Sequence, residues 1–347
     1  MVWIVVCIIA AVIICGWFAI GYVGFRTAIC RGHELNINDR EALKGTAWDQ
    51  YYDEIQEGIA WINQQKAEDI YIQSEDGLKL HARLMDQPGA KGTVLMFHGY
   101  RTHPEVDFSA SSHVYYECGN RIVHIDQRAA GKSEGKYIGF GVLESRDGCL
   151  WAQYIANRFG TDQKIILAGL SMGASTVLMS TAHHENKQVQ INSSSGEILN
   201  VSMELPENVT GIVADSAFSS PYDIIKKRIR TTYHCKGTLL TIAIGIWSRL
   251  LAHYSLKELS VPEVMKNNTI PVLLVHGTAD SNVPVEMTVK VAENCRASKK
   301  VLLVEGAEHG TGYLVDNEAY KNALREFCSC GVFYPMKEVS GFVYIKQ

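Results

Sequence analysis

From residue 93 onward, short apolar runs alternate with longer stretches of helical periodicity, and that alternation limits the fold more than any other feature of the chain. The runs are Thr93–Phe97, Arg121–Ile125, Lys164–Ala168, Gly211–Ala214, Pro271–Val275 and Lys300–Val304. Between them lie helical patterns such as Leu143–Phe159, Ser175–His183, Val285–Arg296 and Asn317–Phe327. The runs are continuously apolar rather than alternating, as in strands buried on both faces. Strands of that kind belong to a parallel sheet covered by helices on each side. Asp69–Gln73 and Leu78–Met85 flank Asp76-Gly77, a hairpin signal at the start of the same sheet. The expected class is therefore α/β, with a mostly parallel sheet between two helical layers. At 347 residues, 47% apolar and 20% charged, the chain has the composition of a protein with a sizeable core, not of a disordered one. A net charge of −4 carries no electrostatic footprint of a nucleic-acid partner.

The amino-terminal segment obeys a different rule. Val2 to Phe25 is 24 residues without a formal charge. As a helix it extends about 36 Å, enough to cross a hydrocarbon layer of about 30 Å. A cleaved signal peptide needs a basic start and a shorter apolar stretch, and neither is present. The expectation is an uncleaved, single-pass transmembrane anchor that contacts membrane lipid. Arg26, Arg31, Arg40 and Lys44 follow the span, which by the positive-inside rule favours a cytoplasmic catalytic body. Nine scattered cysteines, two of them in the anchor, read as free thiols and agree with that side. The sequons at Asn192, Asn200, Asn208 and Asn267 are discounted as chance tripeptides.

The expected organisation is an anchor over 1–25, a helical neck over 26–67, a main body over 68–330 and a tail over 331–347. In the neck, Trp48, Tyr51, Tyr52, Ile55, Ile59 and Ile62 follow a near-helical period and should pack back on the body. Two segments interrupt the body. Residues 185–206 read as an inserted hairpin or loop around Ser193-Ser194-Ser195-Gly196, and residues 219–268 as a cap. The cap holds the basic stretch Lys226–Arg230 and the apolar helix Thr238–Leu251. That helix is too short to span a bilayer, so it is either core of the cap or a membrane-facing surface.

The chemistry concentrates at strand ends. Gly169-Leu170-Ser171-Met172-Gly173 follows one expected strand and opens a helix, a G-x-S-x-G in the strand–turn–helix context that exposes a serine hydroxyl. A serine needs a base to take its proton and an acid to orient that base. His309 follows the last strand and Asp280 the one before it, both at carboxyl ends, where such sheets place their sites. The candidate nucleophile, acid and base are Ser171, Asp280 and His309. Asp215 is an alternative acid and His98 an alternative base. The expected oxyanion donors are the backbone N–H groups of Met172 and of Tyr100, the latter in the loop His98-Gly99-Tyr100. No cofactor or metal is called for: His183-His184-Glu185 lacks an i, i+4 histidine pair, and Cys328-Ser329-Cys330 lacks a second ligand pair.

These segments, with Asp126-Gln127-Arg128…Gly131-Lys132-Ser133, Asp215-Ser216-Ala217-Phe218 and Val283-Pro284, resemble the α/β-hydrolase fold superfamily over about residues 68–330. Within it the chain is similar to membrane-anchored bacterial serine hydrolases of the serine aminopeptidase and lysophospholipase-like group. The resemblance implies a triad of Ser171, Asp280 and His309 acting on a small acyl ester through an acyl-enzyme. A peptidase or amidase and an idle binding scaffold are the alternatives. One departure is visible: Ala129-Ala130 stand where the family's loop has a glycine.

Overall fold

The computed structural model describes residues 1–34, 40–184, 187–192, 196 and 198–330. Glu185, Ser193-Ser194-Ser195 and the tail 331–347 lie outside them. Among the described residues ten strands form: β1 (Ala67–Gln73), β2 (Lys79–Met85), β3 (Gly92–Phe97), β4 (Asn120–Asp126), β5 (Lys164–Leu170), β6 (Gln188–Asn192), β7 (Ile198–Ser202), β8 (Val209–Asp215), β9 (Val272–Gly277) and β10 (Lys299–Val304). Eight make one sheet in the order β1-β2-β4-β3-β5-β8-β9-β10. β1 and β2 join antiparallel, and every pairing from β4 to β10 is parallel. The apolar runs are thus the parallel strands, and β3 and β9 are buried along their whole length. One face packs against Trp151, Leu178 and Val291, the other against Ile62, Tyr115, Leu324 and Phe327. Both faces are covered by apolar side chains, which is why these strands show no polar alternation.

The inserted segment is an antiparallel hairpin, β6 with β7, with Ile191, Leu199 and Val201 buried beneath it. The cap between β8 and β9 comprises the helices Pro221–Tyr233, Thr238–Trp247 and Val261–Met265. The apolar cap helix expected to run to Leu251 instead changes at Ser248 into a π-helical turn, Ser248–Ala252. The neck's helix, Tyr52–Gln64, buries Ile55 and Ile62 against the body.

The first helix, Val2–Ala28, is long and apolar enough to cross a membrane. It runs past the charge boundary at Phe25, because its last turn belongs to the body's core. Phe25 and Ile29 are buried there, a contribution of about 1.5–3 kcal/mol each. Beyond it, Arg31 N–H donates to Lys136 at 2.8 Å and Ile138 N–H donates to Ile29 at 2.7 Å. The helix is tied into the loop that follows β4.

That loop carries two consequences of its sequence. Ala129 adopts φ +60°, the left-handed region, where the absent glycine would be at ease. Beside it Arg128 is buried, with a two-pronged bond to Asp147 at 2.6 and 2.7 Å and a second pair to Asp76 at 3.0 and 3.2 Å. The guanidinium so joins the β1–β2 turn, the β4 loop and the helix Val142–Phe159. Asp147→Ala would leave a buried cation half-partnered, and a loss of about 3–5 kcal/mol is expected. Thermal unfolding of the purified protein checks this, and an unchanged midpoint would contradict it.

Candidate active site

β5 lies at the middle of the sheet, paired with β3 and β8, and Ser171 is the first residue beyond it. Two glycines make the turn possible by allowing close backbone approach. A Cβ on Gly173 would lie 1.8 Å from the Phe97 carbonyl oxygen, and one on Gly169 would lie 2.2 Å from that of Gly173. Ser171 itself sits at φ +57°, ψ −112°, a strained conformation that costs of order 1–3 kcal/mol. Its N–H donates to the Asp215 carbonyl at 2.8 Å, which fixes the turn from below. The helix Met172–Met179 begins at once, so the N–H of Met172 lies at a helix amino terminus beside the hydroxyl.

Ser171, His309 and Asp280 come together. Ser171 Oγ lies 2.9 Å from His309 Nε2, and His309 Nδ1 lies 2.7 Å from Asp280 Oδ2. A carboxylate only accepts, so Nδ1 carries the proton and Nε2 is left as the acceptor facing the serine. Asp280 is fully enclosed at its side chain. Its Oδ1 accepts the N–H groups of Asn282 at 2.9 Å and Val283 at 2.8 Å, while His276 Nε2 approaches Oδ2 at 3.3 Å. Burial alone would raise this carboxyl's pKa. The hydrogen bonds from His276 and His309, with the Val283 N–H, outweigh burial and hold it far below the usual carboxylate range.

The two alternatives are engaged elsewhere. Asp215 accepts from Ser216 Oγ at 2.8 Å and from the Tyr320 hydroxyl at 2.9 Å, and burial pushes its carboxyl pKa up. His98 is 1% exposed, with Nδ1 on the Gly99 carbonyl at 2.7 Å and Nε2 on the Gln127 N–H at 3.1 Å. Both of its nitrogens serve the backbone. The Gly99 loop lies directly against Ser171: a Cβ at Gly99 would sit 3.4 Å from Ser171 Cβ. Asp107 Oδ2 holds this loop, accepting Gly99 N–H at 2.5 Å and Thr102 Oγ1 at 2.7 Å. Tyr100, the other expected donor residue, packs its ring on Phe140 and gives its hydroxyl to the Ala28 carbonyl at 2.9 Å.

Several supporting residues escape a reading of motifs. Trp48, from the neck, donates Nε1–H to the His309 carbonyl at 2.9 Å and packs on Gly310. His276 braces the acid loop, with Nε2 on the Val283 carbonyl at 2.8 Å and Nδ1 on Thr288 at 2.7 Å. From the cap, Lys227 donates to the carbonyls of Ser281 and Asn282, at 2.7 Å for the latter. A signal existed for one of them. His276-Gly277 repeats the His98-Gly99 pair at a second strand end, and both histidines pin the loop that follows. Trp247, at the end of the cap helix, packs against the first helix and donates Nε1–H to the Phe18 carbonyl at 2.8 Å. His183 faces Glu204 at 3.4 Å.

A family model described as TAP-like protein, of the Abhydrolase_4 group, matches residues 254–333. Among curated proteins, the chain is 23% identical to the uncharacterized protein YqkD of Bacillus subtilis over 235 residues, 68% of this chain and 70% of that one. It is 24% identical to the uncharacterized protein YfhR of Salmonella typhi over 261 residues, 70% and 75% of the two chains. Among solved structures, the esterase Pf2001 of Pyrococcus furiosus superposes with a TM-score of 0.58 at 19% identity, covering 76% of this chain and 90% of that one. The α/β hydrolase GrgF of Penicillium sp. sh18 gives 0.56 at 14% identity, covering 76% and 98%. Sheet order and these likenesses agree that the chain has the α/β-hydrolase fold.

Proposed function

We propose that the protein is a serine hydrolase that cleaves acyl esters or thioesters through an acyl-enzyme. The observation that carries the reading is the continuous relay from Ser171 Oγ to His309 at 2.9 Å and on to Asp280 at 2.7 Å. Ser171 Oγ attacks the substrate carbonyl carbon as its proton passes to His309 Nε2, and Asp280 steadies the imidazolium. The negative charge on the carbonyl oxygen falls to the N–H groups of Met172 and Tyr100. His309 then returns the proton to the departing alcohol or thiol. Water, deprotonated by the same nitrogen, attacks the acyl group and frees the carboxylic acid with Ser171 restored. Every proton moves between groups of this chain, the substrate and water.

The esterase named among the solved relatives favours an ester over an amide. A fluorophosphonate should add one label per chain, on Ser171, and p-nitrophenyl esters should turn over faster than aminoacyl amides. A label mapped to Ser175 or Ser216, or faster amide cleavage, would refute the reading. The first helix is read as a single membrane span with the catalytic body on the cytoplasmic side, from Arg26, Arg31, Arg40 and Lys44 beyond it. Protease added to spheroplasts should leave the body uncut. Cleavage there would reverse the orientation.

A further inference from the structure

The cap helix Thr238–Trp247 and the first helix meet by crossing. Gly21 touches its middle, where a Cβ would sit 2.4 Å from Ala243 Cβ, and Gly24 backs onto Ile244. Trp17 Nε1–H donates to the Leu239 carbonyl at 3.1 Å near one end of the cap helix. Phe18 and Tyr22 hold the Trp247 ring at the other, at centroid distances of 4.4 and 4.9 Å. Neighbouring residues of the first helix thus reach opposite ends of the cap helix, so the second lies across the first.

The crossing has a depth. Residues 2–20 precede it, 19 residues or about 28 Å of helix, close to the roughly 30 Å of a hydrocarbon layer. A bilayer around that length places its near boundary at Gly21. Trp17, Tyr22 and Trp247 gather at this level, where amphipathic rings concentrate in membrane proteins.

The cap helix has the pattern of an element lying in that boundary. Thr241, Ile244 and Ser248 face the body and are buried. On the opposite side Leu239, Ile242, Ile246 and Leu250 form one stripe at near-helical spacing, and Leu239, Ile242 and Leu250 are 70%, 41% and 55% exposed. The first helix, on which the cap helix packs, also exposes apolar side chains, among them Val12, Ile13, Ile20 and Val23. Cations edge it: Lys226, Arg230 and Lys236 line a cleft at the start of the helix, and Arg249 is exposed at its end. Apolar surface rimmed by lysine and arginine suits a layer of acyl chains beneath anionic headgroups.

We infer that the cap helix is a second membrane contact, lying in the plane of an anionic bilayer with its Leu239–Leu250 stripe among the lipid chains. The inference rests on the first helix being a membrane span. It would also explain the site's position. Tyr100 and Arg101 bond to the carbonyls of Ala28 and Thr27, so the loop against Ser171 sits seven residues, about 10 Å, past the crossing. A substrate held at the headgroup level meets the nucleophile without first crossing bulk water.

The test uses the full chain reconstituted in vesicles of phosphatidylethanolamine and phosphatidylglycerol. The photocrosslinker p-benzoylphenylalanine replaces one exposed residue at a time: Ile9 in the first helix, Leu239 or Ile242 in the cap, and Lys290 on the helix Val285–Asn294. Lipid adducts, read by intact mass, are expected at Ile9 and at both cap positions, with at least a tenfold lower yield at Lys290. Adducts at Ile9 alone would overturn the cap inference and leave the span intact. No adduct at Ile9 would overturn the span reading and this inference with it. Equal yields at Lys290, or a covalent dimer from Ile242 in place of a lipid adduct, would overturn the cap inference as well.

Discussion

Ser171→Ala is expected to lower ester turnover by about 10⁶-fold, close to 8 kcal/mol of barrier, while leaving thermal unfolding within a degree or two of the parent. The two halves have separate causes. In the proposed mechanism the hydroxyl of Ser171 forms the acyl bond, and among the described residues it is the proton donor held against His309 Nε2, at 2.9 Å. The fold, by contrast, depends on the backbone at 171. An alanine keeps the Cβ, the φ of +57° and the N–H bond to Asp215. Ser171→Gly separates activity from stability further. It should be equally inactive yet more resistant to heat, because glycine adopts this backbone without strain. Activity of either variant above about one per cent of the parent, with fluorophosphonate labelling retained, would move the nucleophile elsewhere.

The parts of this architecture legible in the sequence are those set by neighbours along the chain. Parallel strands are short and buried, so Thr93–Phe97 or Pro271–Val275 announce themselves by composition alone. The turn at Ser171 is equally local, since Gly169 and Gly173 relieve contacts made within that turn and with β3. Asp280 and His309 were legible because each follows a strand end, and the sheet does the work of bringing them together. What escaped depends on chain ends meeting. Trp48 reaches His309 across 261 residues, and Trp247 reaches Phe18 across 229. Trp48 had been visible only as one member of an aromatic period, and the charge pattern near Phe25 hid the burial of the last helical turn. Apolar composition likewise left the cap helix undecided between core and membrane. Its neighbours assign faces that its nearly uniform side chains could not.

Asp280→Asn is the second large effect, an expected loss of about 10⁴-fold in kcat. Oδ1 accepts two backbone N–H groups, from Asn282 and Val283, so the amide oxygen of an asparagine must take that place. Its NH₂ then faces His309 Nδ1. A donor there requires Nδ1 to accept, the ring proton moves to Nε2, and the imidazole meets Ser171 as a donor in place of a base. Asp215→Asn is the control, since that carboxyl bonds Ser216 and Tyr320; kcat should change by less than about tenfold. The same contacts fix the pH behaviour. Burial opposes ionisation of Asp280, yet its hydrogen bonds depress the folded pKa below the unfolded value. A depressed carboxylate contributes stability that is present above its unfolded pKa and is lost only as pH falls through the folded one. Asp280 therefore stays ionised across the range in which an imidazole gains its proton. Activity should fall on the acid side with a single ionisation, reversibly, while tryptophan fluorescence still reports a folded protein. Loss of activity in step with unfolding, or an Asp280→Asn enzyme within tenfold of the parent, would remove Asp280 from the relay.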